Sequence, residues 1–215
     1  MARTITVKGV GSACARPDYV VLSMSLEAEH RDYQTAMDMA AAQIQQLNQS
    51  LGGVGFEKED LKTTDFQVDT VYDREKDRDG NYKSIFRGYA VNHRLKLGFD
   101  FDMGVLAQTL CAVAGCLAHP QLSVAFTVKD AAALNEEMLR SATENARRKA
   151  QALCAASGVK LGELVAIDYN WGELSVYSHT RYDCCNEVMP NTCAIDIEPE
   201  DIDVRDTATF VWQIS

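Results

Sequence analysis

The sequence predicts an α+β protein in two lobes, a two-layer sandwich of mainly antiparallel sheets covered by helices. Three observations carry this. Both ends of the chain alternate apolar and polar residues at a period of two, a long hairpin pattern lies between them, and stretches with apolar residues at three- and four-residue spacing are interspersed with the strands. The resulting order is ββαββ followed by αβαββ. It is read as a single domain over 1–215, with one lobe over about 1–98 and the other over about 99–215. The C-terminal strand, 202–214, is expected to pair back toward the first lobe.

The opening strand is Ile5-Thr6-Val7-Lys8-Gly9-Val10-Gly11, followed by Arg16-Pro17-Asp18. Gly9 and Gly11 superficially invite a dinucleotide fingerprint. That motif needs a third glycine three residues on and a helix opening there, whereas this chain has Cys14 and then a second strand. The glycine pair is therefore read as a structural hinge between two paired strands. From Val20, the even positions Leu22, Met24, Leu26 and Ala28 oppose Ser23, Ser25, Glu27 and Glu29, the pattern of a half-buried strand.

Asp32 is positioned to cap a helix whose apolar residues are Tyr33, Ala36, Met37, Ala40, Ile44, Leu47 and Leu51. Gly52-Gly53 ends it by accepting a left-handed conformation. A strand near Thr64 to Tyr72, a charged tip, and the alternation Tyr89, Val91, His93, Leu95 and Leu97 make a long hairpin. Phe99-Asp100-Phe101-Asp102 marks a joint. A short helix with Met103, Leu106, Leu110, Val113 and Leu117 follows, ended by His119-Pro120.

A strand from Leu122 to Val128 leads to Asp130, which caps the longest helix. Its stripe is Leu134, Met138, Ala142, Ala146, Ala150 and Leu153, and Gly158 stops it. Leu161 to Trp171 reads as a strand, Gly172 to Glu198 as an irregular connection, and Ile202, Val204, Ala208, Phe210, Trp212 and Ile214 as the buried face of the last strand. Asp206 interrupts that face and suggests a bulge or an edge position.

Composition narrows the function classes. With 21 Lys+Arg against 31 Asp+Glu, the net charge is −10, so the overall field repels nucleic-acid phosphates and anionic lipid. No stretch reaches the roughly 18 consecutive apolar residues of a membrane helix, so no integral membrane segment is expected. Met1-Ala2-Arg3-Thr4 leads directly into a strand, so the chain as given reads cytoplasmic; a leader removed upstream would instead place it in the periplasm or envelope. The seven cysteines are an odd count, and Cys111, Cys116 and Cys154 sit in alanine-rich helical contexts as small apolar residues, which disfavours a disulfide framework.

Each candidate site also has a plainer role. His179, Cys184, Cys185 and Cys193 could close a tetrahedral zinc site or act as redox thiols, but adjacent Cys184 and Cys185 point apart and Cys193 lies eight residues on. Glu75-x-Asp77-x-Asp79-Gly80 imitates the first half of a calcium loop, yet its twelfth position is Phe86, and Asp79-Gly80-Asn81 reads better as a solvated hairpin tip. His93 is in phase with Val91 and Leu95, as a locally hydrogen-bonded core histidine would be. Arg140, Arg147, Arg148 and Lys149 form either an anion patch or a solvated helix face, the latter favoured by Glu144 four residues before Arg148. Glu198, Glu200, Asp201, Asp203 and Asp206 read as a charged strand entry. No catalytic residue, cofactor-binding residue or metal ligand is assigned, and no cofactor is expected.

Taken together, the opening strand with Pro17-Asp18, the step Gly88-Tyr89-Ala90-Val91-Asn92, and the helix Ala142 to Gly158 resemble SIMPL-domain proteins. Ala146-Arg147-Arg148-Lys149-Ala150, Val159-Lys160-Leu161-Gly162 and the tail from Ile197 to Ile214 extend the resemblance over nearly the whole chain. It implies a two-lobed α/β protein of unknown molecular function that can build ring-like homo-oligomers. Relatives include bacterial periplasmic and outer-membrane immunogenic proteins. Some members are linked to oxidative stress and one to kinase-associated signalling, and no family-wide catalytic residues carry over. The expected function is therefore that of a non-enzymatic, self-assembling interaction or stress-related protein, its partner another copy of itself or an unidentified protein. The alternative is a thiol- or metal-binding module in the loop from His179 to Cys193.

Overall fold

The computed structural model describes residues 3–76, 82–170, 175–184 and 197–215. In chain order these form β1 (Thr4–Ala15), β2 (Tyr19–His30), α1 (Tyr33–Gly52), β3 (Leu61–Lys76), β4 (Tyr82–Asp100), α2 (Met103–Ala114), β5 (Gln121–Thr127), α3 (Ala131–Ala156), β6 (Leu161–Asp168), β7 (Tyr177–Cys184) and β8 (Ile202–Ile214). The α+β class is as the sequence predicts. The division into compact units is discontinuous, in place of a boundary near residue 98: unit 1 is Met1–Asp18, Thr127–His179 and Pro199–Ser215, and unit 2 is Tyr19–Phe126 and Thr180–Glu198. The physical reason is strand pairing. β1 bonds to β8 along its whole length, from Thr4 opposite Gln213 to Ala15 opposite Ile202, so the two ends of the chain share one unit.

Unit 2 is built on the sheet order β3-β4-β2-β5-β7, β7 contributing its part from Thr180 onward. The period-two face of β2 does what its pattern predicts: Val20, Leu22, Met24, Leu26 and Ala28 are all buried. Leu47 and Leu51 of α1 and Leu106, Leu110 and Val113 of α2 join Val20, Leu22, Met24 and Leu26 in one core with Val124 and Phe126 of β5. Both helices open on an aspartate. The Asp32 carboxylate accepts the Thr35 amide at 3.0 Å, and that of Asp102 accepts the Val105 amide at 2.9 Å. Gly53 closes α1 in the right-handed region, and the left-handed turn falls instead on Gly55 (φ 111°).

The hairpin β3–β4 outgrows its sheet. β2 pairs with β4 only from Tyr89 to Asp100, so Val71–Lys76 and Tyr82–Gly88 continue as a two-stranded arm. A register shift after Val71 leaves Arg87 as the extra residue, and its guanidinium bonds Glu29 at 2.9 Å and Asp73 at 3.5 Å.

Unit 1 is simpler: three strands in the order β1-β8-β6, covered on one face by α3. Asp130 caps α3, its carboxylate accepting the Ala133 amide at 2.9 Å, and Gly158 (φ 69°) follows its end. The stripe Leu134, Met138, Ala142, Ala146, Ala150 and Cys154 is buried. β8 is the central strand and pairs with β1 without a break at Asp206, which corrects the expected bulge or edge there. Asp206 is tolerated on the inner face because the Tyr169 hydroxyl donates to it at 2.9 Å. β6 ends at Asp168, and β7 forms within what the sequence suggested was irregular connection.

Candidate functional site

Gly9 and Gly11 lie inside β1, opposite Ala208 and Asp206, and are no hinge. A Cβ on Gly9 would collide with the carbonyl oxygen of Ala142 and reach Ala146 Cβ at 2.9 Å; one on Gly11 would collide with the carbonyl oxygen of Met138. The glycines let α3 rest its backbone directly on the strand. At that distance its polar side chains reach the backbone of β1: the Val10 amide donates to Asn145 Oδ1 at 3.1 Å, the Ser12 amide to Ser141 Oγ at 3.4 Å, and Lys149 Nζ donates to the Lys8 carbonyl at 3.1 Å. Ser141, Asn145 and Lys149 recur at four, beside the alanine stripe. They satisfy backbone groups that an edge strand otherwise offers to another chain.

The other edge differs. An α-helix is about 10 Å across and strands lie about 4.8 Å apart, so one helix covers two strands of three. α3 covers β1 and β8, and β6 is left over: Leu164, Val165 and Ile167 are 46%, 54% and 56% exposed. Register shifts between Leu161, Leu164 and Ala166 break its alternation and blunt the edge itself. Between the helix and this strand runs a groove of about 410 Å³. Its lining combines Leu161, Gly162, Leu164, Phe210 and Trp212 with Thr143, Arg147 and Gln151 of α3. Phe210 and Trp212 stack with ring centroids 5.5 Å apart.

Of the basic residues weighed from sequence, the structure puts Arg147 into this groove and Lys149 onto β1, while the Glu144–Arg148 pair is not closed. His93 is half-buried and shares a short hydrogen bond of 2.8 Å with Thr63 Oγ1, with Phe66 edge-on at 5.1 Å; burial lowers its pKa from the ordinary 6.5. That is the local, structural role read from the strand phase.

Of the thiol and metal candidates, only part lies among the described residues. His179 is exposed on β7 and Cys184 closes that strand, while Cys185 and Cys193 lie outside the described residues, as does the hairpin tip Asp79-Gly80-Asn81. Among the described residues no group of three His, Cys, Asp or Glu side chains could hold a metal ion. Cys14, Cys116 and Cys154 are free thiols, the latter two buried. Cys111 is disulfide-bonded, which corrects its reading as a small apolar helix residue. Cys14 is exposed and flanked by acid: a hydrogen bond to Asp203 first, then burial and the charges of Asp203, Asp201 and Glu137, push its thiol pKa up from the usual 9.0. The direct contact, Sγ to Asp201 Oδ2, measures 4.0 Å, so the carboxylate pair is better regarded as a shared negative field than as one bond.

The groove, like the β1 contacts, had no sequence signal. Arg147 and Leu161 are fourteen residues apart, and only the path of α3 over the sheet makes them neighbours.

An antiparallel three-stranded sheet whose glycine-bearing first strand is clasped by a small-residue helix, joined in sequence to a five-stranded sheet with a long hairpin, defines a two-unit α+β protein. The chain belongs to the SIMPL family, whose model, described as a protein of unknown function (DUF541), matches residues 5–212. A search of curated proteins returns no match. No described helix is long and apolar enough to cross a membrane.

Proposed function

We propose that this SIMPL-domain protein is non-enzymatic and works by association of its copies, and that the contact surface is the β3–β4 arm of unit 2. The observation that carries this reading is a row of aromatics, exposed on that arm and continuing past its base onto α1. Tyr72 and Tyr82 are 55% and 68% exposed, and Tyr72, Phe86, Tyr89 and Tyr33 pack edge to face in series at 5.7, 5.3 and 5.4 Å. A two-stranded ribbon is at best marginally stable alone, and large apolar side chains held open to water on it favour a second surface to cover them.

Two other surfaces that could pair between copies are engaged within the chain: the alanine stripe of α3 rests on β1, and α3 side chains occupy the edge of β1. Edge pairing through β3 is also disfavoured. A two-fold pairing centred on Arg74 sets Asp73 of one copy against Glu75 of the other, so the aromatic face, rather than the edge, is the contact. The disulfide at Cys111 supports a place in an oxidising compartment, outside the cytoplasm. A role in oxidative stress belongs to the same proposal.

Light scattering tests the reading. The mass is expected at several times 23.8 kDa, and Tyr72→Ser with Phe86→Ser is expected to bring it down toward one chain. A strict monomer across micromolar concentrations would overturn self-association. An unchanged assembly in the double variant would overturn the arm as its surface.

A further inference from the structure

We propose that the groove between α3 and β6 binds a small amphipathic carboxylate, a molecule with one anionic head and an apolar body. The groove falls within the size range of small-molecule sites, which are largely apolar with a few placed polar groups. Leu161 and Leu164 of β6 supply an apolar floor beside α3, backed by the buried Trp212, because the helix is seated over β1 and β8 and leaves β6 bare.

The polar wall selects the head group. Thr143, Arg147 and Gln151 recur at four-residue spacing, which stations them about 6 Å apart along the groove. The Thr143 hydroxyl is committed to the Leu139 carbonyl at 2.9 Å, so Arg147 and Gln151 provide the donors. Arg147 has no carboxylate partner among the described residues, and no acidic side chain lines the groove although the chain carries a net charge of −10. One guanidinium matches a carboxylate as a two-pronged donor with one charge against one. A phosphate monoester would bring nearly two negative charges to a single cation, and a cationic amphiphile would meet Arg147 as a like charge.

The site is independent of the aromatic arm and of self-association. Calorimetric titration with sodium dodecanoate, below the concentration at which it forms micelles, tests it, with dodecyltrimethylammonium as the cationic control. One dodecanoate per chain is expected, accompanied by a change in Trp212 fluorescence read in a Trp171→Phe background. Arg147→Gln is expected to weaken binding at least tenfold and Arg147→Lys to weaken it less. Leu164→Glu, at a half-exposed position the fold can spare, is expected to weaken it by a similar factor with an unchanged circular dichroism spectrum. Absence of saturable dodecanoate binding, equal binding of the ammonium, or full affinity in both Arg147→Gln and Leu164→Glu would overturn the proposal.

Discussion

Asn145, on the longest helix, accepts a hydrogen bond at 3.1 Å from the backbone amide of Val10, a residue 135 positions earlier and exposed on the first strand. This contact exists because Gly9 and Gly11 flank Val10 and let the helix descend. Close packing and edge protection are thus one arrangement. A side chain at either glycine would lift α3 and free the backbone groups that Asn145, Ser141 and Lys149 now hold.

Gly9→Ala and Gly11→Ala are each expected to destabilise the fold by about 1–3 kcal/mol, the usual cost of overpacking a filled contact. The collision is with main-chain oxygens of Met138 and Ala142, which have no rotamer to escape into. Gly52→Ala, where a new Cβ meets nothing within 4 Å, is the control and is expected to be neutral or better. Urea midpoints of the three variants decide this.

Asn145→Ala is expected to cost about 1 kcal/mol, the ordinary net worth of one hydrogen bond. Its distinguishing effect is local. Hydrogen exchange at Val10 is expected to accelerate, while amides of β8 keep their protection in the β1 and β6 ladders. Uniform acceleration across the unit would contradict an edge-capping role.

His93 gives a pH dependence whose sign follows from its lowered pKa. The unfolded chain binds the proton more tightly than the folded one, so the stabilising difference is fully present above about pH 6.5 and is lost as pH falls through the lower folded value. Urea midpoints at pH 8 and pH 5 are expected to differ less in His93→Gln than in the parent. The cause is desolvation on the strand face shared with Leu95.

The cysteines are expected to react unequally. Denatured protein without reductant will titrate fewer than seven thiols and recover the full seven after reduction, because Cys111 is disulfide-bonded. In the folded state Cys14 is exposed yet is expected to react slowly at pH 8, since its thiolate forms against neighbouring carboxylates. Asp203→Asn is expected to speed that reaction, and an unchanged rate would refute the electrostatic explanation.

Much of this architecture is legible in the sequence. The buried face of β2, the caps Asp32 and Asp130 and the stop at Gly158 follow from local chemistry, because period, capping and turn preference act over a few residues. Some misreadings are local, such as the left-handed turn that falls on Gly55 rather than on Gly53, and two are long-range. Asp206 looked like an interruption because its partner, the Tyr169 hydroxyl, is supplied from 37 residues away. The glycine pair looked like a hinge because the helix that needs it lies some 130 residues downstream.

The sequence by itself determined most of the elements, β7 excepted, and carries the motifs of the SIMPL family. Only the tertiary structure decided that the first and last strands share a sheet, that α3 closes the β1 edge, and that β6 is left uncovered beside Arg147. The physical reason is width. A lone helix seated on glycines over two strands leaves the third strand bare, and no pattern within a single element records where a helix comes to rest.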